Sequence, residues 1–338
     1  MSLPPLPDRP LNITVYGAGA IGGLIGALLT KSAGTGDIGE VTLIARGAHL
    51  AAMKADGLRL RRPDGEIEVI PVTATDDPAS LPPQDVVITA LKGHQIPPLA
   101  DTLAALMAPH GRILPVVNGV PWWYPIPDGK GGTKGAEEVD PGGVLWSAIG
   151  PERAIGSIAY LGASSPEPGL ISYDIEGYLD LGRLPGEDRT DVERIAALLE
   201  GAGWMIRQTQ PFQNALWAKM MSNCSLNAVA AITRTSSGVN LNSQPIYDFT
   251  GAIMEEVRAI AAAEDAEIAM TTEKRLSLAM RNGGFKPSTL QDLEKGRPME
   301  IEPIFAAAAA VGHAKGVPCP MLDLATEILR FVETSREL

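Results

Sequence analysis

Three polar residues on one predicted helix could carry proton chemistry. Lys219, Asn223 and Asn227 recur every four positions in the stretch Leu216 to Asn227, a spacing that puts them on one helix face. A lysine ammonium can give a proton to a carbonyl oxygen that gains negative charge, and burial or a neighbouring charge tunes its pKa for that work. On an otherwise apolar helix with Met220, Leu226 and Val229, such a stripe lines a substrate cleft or forms a solvated face. Spacing leaves both open. Asn118 follows the apolar run Ile113 to Val117, and Lys92 follows the run Asp85 to Thr89. Both therefore fall at predicted strand ends, where open α/β sheets bind ligands. An ordinary Asn-Gly turn is the alternative for Asn118. Ser288 and Glu300 lie where helices could start, so capping competes there with a site role.

The second candidate is a glycine turn. Gly17-Ala18-Gly19-Ala20-Ile21-Gly22 follows the strand pattern Ile13 to Tyr16 and opens a helical pattern, the context a dinucleotide fingerprint requires. Gly17 would allow the tight turn, Gly19 the approach of a pyrophosphate, and Gly22 close packing of helix on strand. The helix N-terminus would supply N–H donors and partial positive charge. At the end of the second strand, Leu43-Ile44-Ala45-Arg46 places no acid where an NAD site has one. Arg46 instead offers a fork of donors to a phosphate, which favours NADP(H) as the cofactor; a solvated surface arginine is the alternative. The four histidines, His49, His94, His110 and His313, show no metal spacing and no nucleophile partner, so neither a metal nor a triad is expected.

These residues need a framework. A chain of 338 residues, 45% hydrophobic and 20% charged, is large enough for two folded domains. A net charge of -12 without clustered Lys and Arg excludes nucleic acid as a partner. Cys224 and Cys319 lack CxxC or zinc spacing, which fits a reducing cytoplasm. Met1 to Pro10 has no signal-peptide pattern and reads as a short disordered lead. The alanine run Ile304 to Gly312 is far shorter than a membrane span, so no membrane segment is expected.

The first half alternates strand and helix patterns: strand Ile13 to Tyr16, helix Ala20 to Lys31, strand Glu40 to Ala45, a helix around His49 to Ala55, then strands Asp85 to Thr89 and Arg112 to Val117. This is the signature of βαβ units with a parallel sheet. Ala154 to Leu181 alternates like a β-hairpin closing the domain. Pro121 to Gly143 is rich in glycine and proline and reads as a long, partly mobile surface insertion. From Pro211 the pattern is helical, over Asn214 to Thr233, Pro245 to about Arg281, Met299 to Lys315 and Met321 to Glu333. The expected fold class is thus α/β, with a Rossmann-type dinucleotide-binding domain over residues 1–209, an insertion at about 121–143, and an all-helical substrate domain over residues 210–338.

Taken together, the glycine turn, the strand-end Lys92, Asn118-Gly119, the helix with Lys219, Asn223 and Asn227, and the late Ser288, Gln291-Asp292 and Glu300 resemble the ketopantoate reductase family from the first strand to the last helix. The resemblance implies that Lys219 is the general acid for NADPH reduction of a 2-oxo acid, in the family ketopantoate, within pantothenate and coenzyme A synthesis. It implies that Asn223 and Ser288 bind substrate, with Asn227 on the same face, and that Asn118 and Lys92 serve where cofactor and substrate meet. Glu300 would act near the nicotinamide ribose and the lysine. A homodimer is left open. The sequence departs from the family after Asn118-Gly119, where it runs Val120-Pro121-Trp122-Trp123-Tyr124. These aromatics either reshape the substrate pocket or pack the insertion. Two other readings stand beside the main one: a related dehydrogenase with another hydroxy-acid or imine substrate, and a sensing protein that binds NADP(H) without turnover.

Overall fold

Leu11–Tyr16, with Leu11, Ile13, Thr14 and Val15 buried, make the first strand of a parallel sheet, and the computed structural model describes residues 3–335 of the chain built around it. In chain order the elements to residue 117 are β1 (Leu11–Tyr16), α1 (Ala20–Lys31), β2 (Ile38–Ile44), α2 (Gly47–Asp56), β3 (Leu58–Arg61), β4 (Ile67–Ile70), β5 (Thr73–Thr75), β6 (Gln84–Thr89), α3 (Ala100–Leu106) and β7 (Met107–Pro115). Short strands β8 (Ile126–Pro127) and β9 (Thr133–Lys134) follow, then α4 (Val144–Ala148), β10 (Gly156–Glu167), β11 (Leu170–Gly182), α5 (Thr190–Gly201) and β12 (Met205–Arg207). The remaining helices are α6 (Phe212–Ser222), a π-helical turn Asn223–Asn227, α7 (Ala228–Thr233), α8 (Ser237–Asn240), α9 (Gln244–Ala263), α10 (Thr272–Arg281), α11 (Ser288–Glu294), a second π-helical turn Glu302–Ala306, α12 (Ala307–Ala314) and α13 (Pro320–Thr334).

The chain divides into two compact units. One holds Met1–Val117 with Val144–Phe212, and the other Asn118–Gly143 with Gln213–Leu338. In the first unit, β5-β2-β1-β6-β7 form a wholly parallel sheet. A second sheet, β10-β11-β3-β4 with β12 beside β11, covers the other side of α1. The glycines of α1 explain that sandwich. A Cβ at Gly26 would lie 2.9 Å from Leu43 of β2, and one at Gly23 would lie 2.8 Å from Ile171 of β11. Both faces of the helix can therefore approach a sheet closely. The expected hairpin is present as β10 and β11, but its enlargement into a five-stranded sheet by the short strands β3, β4 and β12 was not legible in the pattern.

Three expectations need correction. The N-terminal lead is anchored rather than disordered: Arg9 pairs with buried Asp85 at 2.7 Å, and the Pro7 carbonyl accepts from Arg194 at 2.7 Å. Its first two residues lie outside the described residues. The segment 118–143 groups with the helical unit, and Pro121 to Tyr124 are buried there, because three large aromatics gain more from a core than from water. The predicted helix from Pro245 to Arg281 breaks after Ala263. Asp265 takes a left-handed conformation at φ 54°, and Thr271 caps a new helix by accepting from the Lys274 N–H.

The first unit is pinned at its base by one carboxylate. Asp191, in the first turn of α5, accepts from Arg183 at 2.6 Å and from Arg112 Nε, and all three side chains are at most 10% exposed. Burial alone would raise its carboxyl pKa, but the hydrogen bonds from Arg183 and Arg112 outweigh it and hold the group below its usual range. A carboxylate with a depressed folded pKa stabilises above its unfolded value, about 3.9, and that stabilisation disappears as pH falls through the lower folded value. Asp191→Ala, which strands two buried guanidinium groups, is expected to cost about 3–5 kcal/mol. Its urea midpoint at neutral pH should fall well below wild type, and the deficit should shrink in acid. An unchanged midpoint would refute this.

Candidate active site

The helical unit assembles its polar residues around two π-helical turns. In an α-helix, successive i to i+4 steps overshoot the 3.6-residue turn, so a stripe of residues four apart drifts around the axis. The wider turn at Asn223–Asn227 winds less per residue and opposes that drift, so Lys219, Asn223 and Asn227 stay in line. Buried Trp217, Met220 and Met221 fix α6 in its core, while Lys219 and Asn223 are half-buried and Asn227 is buried. Part of Lys219 remains open to solvent. Burial of its amine nevertheless lowers the pKa to about 8, with the Glu300 carboxylate acting in the opposite direction.

Glu300 is itself buried and is held from both sides. The preceding Met299 N–H donates to Glu333 Oε1 at 2.7 Å, and Glu302 accepts from Arg330 Nε at 2.8 Å, both partners lying on α13. The second π-helical turn, Glu302–Ala306, then connects the remaining pieces. The Val120 N–H donates to the Pro303 carbonyl at 2.8 Å. Gly119, at φ 95°, lies so close that a Cβ would come within 2.1 Å of that carbonyl oxygen. Asn118 is thereby set beside the turn that follows Glu300. Cys224, inside the first π-helical turn, reaches the Ile304 carbonyl at 3.2 Å. The two π-helical turns are thus in contact; the first contains Asn223 and Asn227, and the second begins two residues after Glu300.

Ser288 opens α11, whose N-cap position is Pro287 and carries no side-chain cap bond. The serine is exposed, and its helix packs against α7 and the first π-helical turn. The aromatic departure is resolved in favour of packing. Trp122, Trp123 and Tyr124 are buried, and Tyr124 donates to Glu264 Oε2 at 2.7 Å while accepting from Trp217 Nε1 at 3.0 Å. Burial, together with Glu264, raises the Tyr124 phenol pKa, so it remains a donor. Lys315 neutralises Glu264 at 2.8 Å. The segment therefore braces the helix that carries Lys219, two residues after Trp217.

The first unit carries the glycine turn at the ends of β1 and β6, neighbouring strands whose connections leave in opposite directions. Such a switch point is where open α/β sheets bind ligands. Gly17 has φ 98°, and a Cβ there would lie 2.6 Å from Leu91; one at Gly22 would lie 2.2 Å from the Gly17 oxygen. At Gly19, the N-cap residue of α1, a Cβ would meet nothing within 4 Å. The space before Gly19 is thus open to an incoming group, and the helix N-terminus there suits an anion. These features fit a dinucleotide. The Gly17 and Ala18 N–H groups donate to the Ile44 carbonyl at 3.1 and 2.9 Å, which ties the turn to the strand that ends just before Arg46. Arg46 is exposed at the N-cap of α2, and its charge acts on Tyr16, whose pKa is raised by burial and lowered by Arg46. Lys92 follows Leu91 and is half-buried.

The family model for ketopantoate reductase (PanE/ApbA) matches residues 13–186, and the model for its C-terminal part matches residues 211–333. The chain belongs to the ketopantoate reductase family. A 2-dehydropantoate 2-reductase of Mesorhizobium japonicum is 35% identical over 96% of this chain and 99% of its own length. The fold superposes on a crystal structure from Ralstonia solanacearum with a TM-score of 0.87 and 32% identity, covering 97% and 99% of the two chains. It also superposes on 2-dehydropantoate 2-reductase from Geobacter metallireducens with a TM-score of 0.79 and 27% identity, covering 95% and 99%.

Within this family member, the structure connects Asn118, Lys219, Asn223, Asn227 and Glu300 through the π-helical turns, and it places Ser288 on a helix packed against one of them. Gly17 to Gly22, Arg46 and Lys92 lie in the other unit. Sequence reasoning did not find the supports: Arg330 and Glu333 beside Glu300, Tyr124 and Trp217 beside Lys219, and the Pro303 carbonyl beneath Gly119. Among the described residues no group of three or more His, Cys, Asp and Glu could hold a metal ion, and no helix is long and apolar enough to cross a membrane.

Glu300→Gln removes the group that raises the Lys219 pKa and leaves the desolvation that lowers it. The amine of the variant should therefore titrate below about 8. Labelling of Lys219 by an amine-reactive reagent across a pH series measures this, with half-maximal reactivity expected at lower pH than in wild type. A shift to higher pH would contradict the arrangement.

Proposed function

We propose that this chain is an NADPH-dependent 2-dehydropantoate 2-reductase, which reduces the keto group of ketopantoate to the hydroxyl of pantoate for pantothenate and coenzyme A synthesis. The observation that carries the reading is Lys219, a desolvated lysine with a pKa near 8 opposed by the buried Glu300 carboxylate, in a chain matched over nearly its whole length by the family. Bound NADPH supplies a hydride to the keto carbon. Lys219 supplies the proton that the keto oxygen takes up, and the neutral amine then recovers a proton from solvent. A donor with a pKa near ambient pH is largely charged, yet gives its proton more readily than an ordinary lysine. Its charge also attracts the substrate carboxylate. Glu300 keeps the ammonium protonated despite its burial and serves near the nicotinamide ribose.

Asn223, Asn227, Ser288 and Asn118 hydrogen-bond the substrate in this reading, with Asn118 and Lys92 also serving the cofactor. Gly17, Ala18, Gly19, Ala20, Ile21 and Gly22 form the pyrophosphate seat, and the exposed Arg46 takes the 2′-phosphate. Two buried free cysteines suit a reducing cytoplasm.

Purified protein with NADPH should turn over ketopantoate in preference to other 2-oxo acids. Lys219→Ala should lower kcat by about 10²- to 10⁴-fold while NADPH binding persists, and wild-type kcat should decline as pH rises through about 8. NADPH binding without turnover of any 2-oxo acid would support a sensing protein instead. Arg46→Ala is expected to weaken NADPH binding about tenfold or more, or roughly 1.4 kcal/mol, and to leave NADH binding unchanged. Equal losses for both cofactors in a titration would remove Arg46 from the phosphate.

A further inference from the structure

His49 touches the glycine turn, and none of the roles above uses it. It lies on α2 three residues after Arg46 and is half-buried. The Gly169 N–H donates to His49 Nδ1 at 3.0 Å, and His49 Nε2 lies 2.7 Å from the Ala18 carbonyl oxygen. An accepting Nδ1 carries no hydrogen, so the neutral ring bears its proton on Nε2 and donates it to Ala18. The far end of this bridge is fixed. The Gly169 carbonyl accepts from the Arg59 N–H at 2.8 Å, and a Cβ on Gly169 would come within 2.8 Å of Ala52 on α2. Both contacts hold the β10–β11 turn against α2 and β3.

The consequence follows from peptide planarity. In a trans peptide the carbonyl and the following N–H point in opposite directions, so fixing the Ala18 oxygen also fixes the direction of the Gly19 N–H. The Gly17 and Ala18 N–H groups already serve the Ile44 carbonyl. Donors for an anion therefore begin at Gly19, where the space beyond the Cα is open. We infer that His49 is a positioning residue for the cofactor pyrophosphate: its Nε2–H, held in that tautomer by Gly169, turns the Ala18–Gly19 peptide so that the Gly19 N–H faces the anion. Because Arg46 is the N-cap of α2, one helix sets both the pyrophosphate donors and the residue proposed for the 2′-phosphate.

This inference rests on the glycine turn being the cofactor seat, and the test separates the two. Wild type, His49→Gln, His49→Asn and His49→Ala are compared for NADPH dissociation constant by fluorescence titration, for kcat and NADPH KM, and for Tm. Gln places an amide near the Nε2 position and can still donate to Ala18, whereas Asn reaches only the Nδ1 position and keeps the Gly169 contact alone. Asn and Ala should weaken NADPH binding about tenfold, the scale of one well-placed hydrogen bond, with kcat at saturating NADPH nearly unchanged. Gln should bind within about twofold of wild type on the same scale. An Asn variant with wild-type Tm and wild-type NADPH affinity overturns the inference, as does a loss confined to kcat. Should Ala fail to fold, the contrast between Gln and Asn still decides. A wild-type protein that binds no NADPH overturns the cofactor reading itself.

Discussion

A lysine taken out of water must either lose its charge or find a compensating one, and the helical unit is arranged around that constraint. Desolvation brings Lys219 down to about 8, and Glu300 acts against a further fall. A buried carboxylate is itself expensive to hold in place. Here its neighbours fix the backbone on either side, with Glu333 taking the Met299 N–H and Arg330 pairing with Glu302. These contacts set the backbone from which the Glu300 carboxylate extends. The two π-helical turns complete the arrangement. They bring Asn118, Glu300 and the Asn223–Asn227 turn into one connected structure through the Pro303 and Ile304 carbonyls.

The first unit meets a different demand, close approach of backbone to backbone and, in the proposed reading, of backbone to an anion. Its three turn glycines meet it for three separate reasons: a left-handed φ at Gly17, open space at Gly19, and the near contact of Gly22 with the Gly17 oxygen. The helix that follows is glycine-rich at Gly23 and Gly26 because a sheet covers each of its faces. One short sequence thus specifies both the turn proposed for the cofactor and the three-layer packing. A side chain at Gly22 would disturb the turn and the helix together.

Legibility in the sequence followed the range of the interactions. The turn, α1 and the parallel strands are encoded by neighbours a few residues apart, so their periodicity and punctuation were readable, as was the spacing of Lys219, Asn223 and Asn227. The π-helical turns were not, because an i to i+5 turn leaves no distinct residue pattern and is selected by tertiary contacts such as Cys224 with Ile304. The break after Ala263 had a local signal in Thr271, which caps the next helix, but its other cause is distant: Glu264 is drawn to Tyr124 and Lys315. Within the insertion at 121–143, residues 129–134 are exposed as expected, but the burial of Trp122 to Tyr124 was missed, because glycine and proline content describes flexibility of the chain and not the partners available to the aromatics. His49 was illegible for a similar reason: its partners are a carbonyl and an N–H from turns distant in sequence, which no local spacing announces.

The aromatic departure bears on the reaction less than its position suggests. Had Trp122, Trp123 and Tyr124 stood in solvent beside Asn118, they would have formed a new wall for substrate and weakened any transfer of the family reaction to this chain. Instead they are buried, and Tyr124 joins Glu264, Lys315 and Trp217 in a polar network within an aromatic core. Trp217 meets Tyr124 edge to face, with ring centroids 6.0 Å apart, on the helix that carries Lys219. The departure therefore acts on the rigidity of α6, and so on where the ammonium stands, rather than on the polar groups that would face a 2-oxo acid. Those groups, Asn118, Asn223, Asn227 and Ser288, are the ones the family pattern contains, and they follow or precede the aromatic stretch without being replaced by it.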